Sequence, residues 1–143
     1  MIDKPKIIHP IEESWFSYSS TLRIHGDQLD FIGIECVLGL QSTYRHRKGE
    51  RKGPKSPPYK DDAWHYECPL EESKPLSEHL MALWTAVKPH VTYLRQLKKT
   101  NNVDIFCGYR SNSQIAGFEV DYRCLDMFIA LEVPFGVSII TLE

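Results

Sequence analysis

Trp15-Phe16-Ser17-Tyr18-Ser19-Ser20-Thr21-Leu22-Arg23-Ile24 is the stretch from which the fold can be read. It is rich in aromatic and β-branched residues, and Phe16, Tyr18, Ser20, Leu22 and Ile24 share one alternating face, the period-2 pattern of a strand with one side against a core. His25-Gly26 then turns the chain and the period changes. Asp27 offers an N-cap, Asp30 places a carboxylate near the positive end of a helix, and Leu29, Ile32, Cys36 and Leu40 recur at helical spacing, with the helix ending near Gly39.

Further along, Ala63-Trp64-His65-Tyr66-Glu67-Cys68 alternates as a strand before Pro69 stops it. Ser73, Pro75 and Ser77 with Glu78 supply helix starts, and Leu80, Leu83, Trp84, Val87, Val91 and Leu94 form an apolar stripe at helical period. Pro89 removes a backbone donor inside that stripe, which predicts a split into helices near 77–88 and 89–99. Val103 to Tyr109 resumes a strand, with Gly108 marking a bulge or a close approach. Arg110 to Gln114 reads as a turn, and Ile115 to Phe118 as its hairpin partner. Asp121 caps a last helix carrying Leu125, Phe128 and Ile129 on one side, Pro134-Phe135-Gly136 turns the chain, and Val137 to Leu142 closes as a strand.

The resulting order is strand, helix, strand, kinked helix, strand, strand, helix, strand. Short, partly alternating strands mixed with helices predict an α+β domain, a mainly antiparallel or mixed sheet with helices packed on one face. Residues 1–13 read as an N-terminal extension and 14–143 as a single α+β domain, a size that suits one hydrophobic core.

Residues 44–60 break every core-forming pattern. Arg45, Arg47, Lys48, Arg51, Lys52, Lys55 and Lys60 face only Glu50 in a segment punctuated by Gly49, Gly53, Pro54, Pro57 and Pro58. A long loop without secondary structure inside a patterned domain is commonly functional or disordered. The formal net charge of −2 therefore hides a segregation, a basic loop on an acidic body.

That charge pattern disfavours a long polyanion, which the body would repel, although Arg and Lys interleaved with Tyr44, His46 and Tyr59 could otherwise grip RNA. A solvated loop without a nucleic-acid role is the simpler reading. A protein partner fits as well, since Arg and Tyr are favoured interface anchors. The apolar runs are too short to cross a bilayer and no hydrophobic signal region follows Met1, so a cytoplasmic protein is expected. The four cysteines, Cys36, Cys68, Cys107 and Cys124, stand singly in apolar segments, as buried reduced thiols do.

The chemistry-bearing residues form no familiar constellation. His65 and Cys68 lie on opposite faces of a strand, and His79 and His90 are too far apart on a helix to share an ion, so no metal is expected. Neither a G-x-S-x-G elbow nor a phosphate-cradling glycine loop occurs. Glu71-Glu72 and Asp61-Asp62 read as solvated acidic surface, and Trp15, Trp64 and Trp84 as core or core edge. No catalytic residue and no cofactor is expected, and an enzyme or ligand site would have to form from scattered residues around His65, His79 and Asp104.

The succession Ser20 to Asp30, Leu38-Gly39-Leu40, Arg45 to Gly49, Trp64, Ser77-Glu78-His79-Leu80 with Leu83, then Val103 to Gly108, a helix through Leu125 and Leu131, and Val137 to Ile140 resembles the DUF4279 family of small bacterial proteins. The likeness runs from about Tyr18 to Leu142. This chain departs from the pattern in its longer, more basic loop and in Glu132-Val133-Pro134, where a leucine-glycine turn is common. The resemblance implies a compact bacterial cytosolic domain, of a kind sometimes encoded beside polymorphic toxins as their immunity protein, and it transfers no catalytic residue.

Together these readings predict a non-enzymatic immunity protein that binds a cognate toxin and occludes its active site. The contact is placed on Tyr44, Arg45, His46, Arg47, Lys48, Arg51 and Lys52, with Tyr59, Asp61 and Asp62 at the far rim. An RNA-binding accessory domain and a small-ligand binder or enzyme are the alternatives.

Overall fold

In the computed structural model, which describes residues 14–113 and 115–142, the opening stretch forms β1 (Phe16–Gly26). The proposed extension over residues 1–13 lies outside the described residues. The partners of β1 are β3 (Asp62–Glu67) and β4 (Asn102–Ser111), both antiparallel. The edges are β2 (Tyr44–His46) beside β3 and β5 (Val137–Thr141) beside β4, so the order is β2-β3-β1-β4-β5. Among the described strands only β4 and β5 run parallel, which makes the sheet mixed.

Register explains the core. Leu22 lies between Tyr66 and Ile105, and Ile24 between Trp64 and Val103, so one face of three adjacent strands is continuously apolar. Four helices, α1 (Phe31–Leu38), α2 (Leu76–Val87), α3 (Val91–Lys98) and α4 (Leu125–Leu131), close over that face, and their Ile34, Leu80, Leu83, Leu94 and Met127 join Leu22 and Ile24 in one cluster. The chain is an α+β protein. Leu22 and Ile24 are fully buried, and truncating either to alanine costs about 2–5 kcal/mol. Phe16, at the sheet margin, is exposed and leaves the otherwise buried stripe of β1.

The first helix starts later than its polar residues suggest. Asp30, not Asp27, is the N-cap, its Oδ1 accepting from the Gly33 amide at 3.0 Å. A Cβ at position 33 would lie 2.3 Å from Asp30 Oδ2, so this cap needs a glycine there. The later start moves the buried stripe to Phe31, Ile34 and Leu38, and turns Ile32 (78% exposed) and Cys36 outward. Cys36 is thus the one cysteine expected inside that is exposed, while Cys68, Cys107 and Cys124 are buried and burial pushes the Cys107 thiol up to about 12. The helix ends as expected on Gly39 in the left-handed conformation, φ 67°.

Pro89 splits the second apolar stripe, with a 3₁₀ turn over Lys88–His90 joining α2 to α3. The pairing of β4 runs unbroken through Gly108, so no bulge forms. A Cβ there would approach Ser19 Oγ to 2.7 Å, the close approach that the glycine allows. The proposed hairpin strand at Ile115–Phe118 does not form and Ile115 is 93% exposed, because β1 and β5 already occupy both edges of β4. The chain instead crosses through a 3₁₀ turn (Tyr122–Cys124), capped by Asp121, into α4. That tight turn shifts the helical phase, so Met127, Phe128 and Leu131 are buried while Leu125 and Ile129 face outward. Trp64 and Trp84 are buried and Trp15 is exposed at the margin.

Candidate functional site

The face of the sheet turned away from the helices is polar, aromatic and cationic. Alternation puts Arg23 and His25 of β1, His65 of β3, Asp104 and Phe106 of β4, and Tyr44 and His46 of β2 on it. Arg23 lies directly across from Asp104, and its guanidinium grips that carboxylate at two points, 2.8 and 2.9 Å. The same guanidinium rests 4.9 Å from the centroid of the Phe106 ring.

His25 and His65 meet through their Nε2 atoms at 2.8 Å, with near-parallel rings 5.0 Å apart. One nitrogen donates and the other accepts, so the bond requires at least one neutral ring. Burial, followed by the charges of His25, Arg23 and His46, lowers the pKa of His65 to about 4. Burial also lowers that of His25, with Asp61 opposing at 3.8 Å from its Nδ1. The pair is therefore neutral near pH 7.

Tyr44 and His46 on the edge strand β2, with Tyr59 beyond it, continue this face. Tyr59 stacks on His46 at 3.6 Å with an interplanar angle of 4°, and the Tyr44 hydroxyl lies 2.6 Å from His46 Nδ1 and 3.3 Å from the Tyr59 hydroxyl. The hydrogen bond to Tyr59, helped by burial, pushes Tyr44 up to about 12. The main chain supports the stack, since Gly49 N donates to Tyr59 O and Tyr59 N donates to Glu50 O. The segment read as structureless therefore begins with a strand and folds back on itself as a pinned hairpin.

At the hairpin's root the charges turn inward. Asp62 is only 3% exposed and accepts from Leu29 N, Lys48 N and Arg47 at 2.9, 2.7 and 2.7 Å. Burial alone would raise its pKa; the bonds from Lys48, Arg47 and Leu29 outweigh it and hold the carboxyl below the ordinary carboxylate range. Arg47 also donates to Leu29 O and lies 3.8 Å from the Phe31 ring centroid, so it staples the hairpin to α1. Arg45 reaches Glu35 at 3.4 Å and also stands over Phe31. Glu35 in turn accepts from Ser42 N and Trp64 Nε1, both at 3.1 Å.

The residues assigned to partner contact thus separate into groups. Tyr44, His46 and Tyr59 form the aromatic stack, and Asp61 faces His25. Arg45, Arg47 and Asp62 brace the fold, while Lys48 joins this root through its amide and reaches Asp27 with its ammonium at 3.6 Å. Arg51 donates to Ser56 O within the loop, and Lys52 is exposed with no carboxylate partner among the described residues.

Of the scattered set around His65, His79 and Asp104, the open face brings His65 and Asp104 together and leaves His79 out. His79 is buried on the helix side, where its Nε2 lies 3.0 Å from Glu71 O. Arg23, His25 and Glu35 were not singled out. The signal for the first two was available, since they occupy the alternate positions to Leu22 and Ile24. Among the described residues no group of three or more His, Cys, Asp or Glu is placed to hold a metal ion. None of the described helices is long and apolar enough to cross a membrane.

This arrangement of strands, helices and loop carries a family signature that spans residues 16–142, where the model of the domain of unknown function DUF4279 matches. The chain belongs to the DUF4279 family. No curated protein and no solved structure matches it. Within this DUF4279 chain the match takes in the open sheet face and the whole basic hairpin together with the helices.

Proposed function

We propose that the protein is a non-enzymatic immunity protein, which binds a cognate bacterial toxin in the cytosol and occludes its active site with the open sheet face and the β2–β3 hairpin. The observation that carries this reading is the state of the ionisable groups on that face. Arg23 and Asp104 neutralise each other, and His25 and His65 share a hydrogen bond. Groups so paired present a preformed, rigid surface to a partner, with aromatic and Arg side chains of the kind that anchor interfaces. Lys52, Lys55 and Lys60, exposed and without carboxylate partners among the described residues, add a cationic rim that would steer an acidic partner surface. The toxin as partner rests on the context that the family resemblance implies.

The test is co-expression with the toxic product of an adjacent reading frame. Rescue of growth and a complex on gel filtration are expected. Undiminished toxicity without a complex would remove the proposal, and affinity for RNA that falls steeply with salt would put the RNA-binding alternative in its place.

One observation favours a small-ligand reading. A cleft of about 370 Å³ at the end of the sheet is lined by Arg23, His25, Lys98, Asn102, Asp104 and Glu132. Its carboxylates are already engaged, Asp104 by Arg23 and Glu132 by Arg95 at 3.0 Å. A metabolite that raises the melting temperature of the wild-type protein but not of Arg23→Ala would support this second reading.

A further inference from the structure

We infer that β5 is a docking edge for a second copy of this chain, and that two copies join their sheets by antiparallel β5–β5 pairing. The two edges of the sheet are protected very differently. A free edge offers unpaired amides and carbonyls to any passing strand, and proteins usually blunt it with short length, charge, proline or a bulge. β2 is blunted, being three residues long, carrying Arg45 and followed at once by Arg47. β5 is not blunted. It is Val137-Ser138-Ile139-Ile140-Thr141, with no charge or proline and an unbroken register against β4. Ile139 is 61% exposed and Ile140 47% exposed.

Hydrogen-bond polarity singles out the pairing. The amide of Leu142 donates inward to Ser111 O at 2.8 Å. In a parallel pair alternate residues point their amides and carbonyls to opposite sides, so those of Ile139 and Thr141 face the free edge. A two-fold axis beside Ile139 makes it a hydrogen-bonded pair with Ile139 of the other copy. Ser138 then lies opposite Ile140, and Val137 opposite Thr141. Every cross-strand pair is uncharged, and exposed isoleucine is covered on both sides of the sheet.

The register sets uncharged residues against uncharged ones at all five positions of two identical strands, and this self-complementarity argues for a second copy as the occupant. A β5–β5 contact uses that edge in both copies, and the short β2 with its Arg45 is a poor acceptor for it, so the contact closes as a two-fold dimer and does not propagate as a filament. The surface is separate from the β2–β3 hairpin, at the opposite edge of the sheet. Pairing engages the outward amides and carbonyls of the β5 edge and none of the Arg23–Asp104 or His25–His65 pairs, so a variant that loses the dimer and keeps the partner, or the reverse, separates the two readings.

Sedimentation velocity on the full chain over a range of concentrations tests the inference. A concentration-dependent dimer is expected. Ile139→Lys, which sets two ammonium groups face to face at an exposed site, should raise its dissociation constant by at least about tenfold. Lys52→Ser, near the other edge, should leave it unchanged. Far-UV circular dichroism shows whether Ile139→Lys folds, and Thr141→Lys gives the same readout from the strand end if it does not. A wild-type monomer throughout the range overturns the inference, as does a dimer that both β5 variants leave intact.

Discussion

At the root of the β2–β3 connection Arg45 and Arg47 are anchored to Glu35, Asp62 and the ring of Phe31, whereas beyond it Lys52, Lys55 and Lys60 stand exposed with no carboxylate partner among the described residues. The two regions are alike in composition and adjacent in sequence, yet one holds the hairpin against α1 and the other is free to meet a partner. Position against the acidic residues makes the difference. Asp62 is presented by the buried start of β3, where a carboxylate is tolerable only if several donors converge on it. A count of cations along the loop therefore overstates the charge available for recognition.

The sharpest way to break the comparison is Asp62→Ala. It leaves the amides of Leu29 and Lys48 without their acceptor and Arg47 without its counter-charge, for an expected loss of about 3 kcal/mol by urea unfolding. A loss within about 0.5 kcal/mol, the range of ordinary surface changes, would mean that root and tip do not differ.

A smaller effect comes from the imidazole pair beside the root. In the folded protein His65 titrates near 4 against an ordinary value of 6.5, so on acidification the unfolded chain takes up its proton first. Its contribution to stability is complete above about pH 6.5 and is lost as the pH falls toward 4, and the lowered His25 acts in the same direction. Urea midpoints at pH 7 and pH 5 should differ in that sense, and His65→Gln should flatten the difference. An unchanged slope in the variant would detach the acid response from this pair.

Much of this was legible from residue order. The alternation of β1, the break at Pro89, the left-handed Gly39 and the closing strand all follow from local rules, and the α+β class with them. Local rules failed where two neighbours compete for one role or a distant residue decides the outcome. Asp27 and Asp30 are both competent caps, and only the start of the helix at Phe31 separates them. Ile115–Phe118 has strand composition, but β4 has no free edge to give it. At the site, the aromatic and basic residues of the loop were visible as a group. The inward turn of Arg47 depends on Asp62, fifteen positions away, and the pairing of Arg23 with Asp104 depends on a strand register that no short window contains.

Tyr59 links the two regions, since its ring stacks on His46 at the sheet edge while its main chain pins the hairpin. Tyr59→Ala removes the ring and keeps the main-chain bonds, so the expected destabilisation is about 1 kcal/mol, below that of Asp62→Ala. A partner complex should weaken as well, because an aromatic anchor is lost from its footprint. If stability fell while affinity held, the stack would be a brace like the root and the recognition surface would begin further out.

The finest division comes from replacing Lys52, Lys55 and Lys60 together by serine. These side chains have no carboxylate partner among the described residues, so unfolding free energy should stay within about 0.5 kcal/mol of wild type. Binding should change in a particular way. Exposed rim charges act mainly on encounter, so the association rate should fall and its dependence on salt should weaken, while dissociation stays nearly constant. Stopped-flow association at two ionic strengths separates these terms. A slower association with unaltered stability would place the tip's charge in recognition alone. If dissociation instead accelerated at constant association, the lysines would make close contacts in the complex, and the tip would be an anchor in its own right.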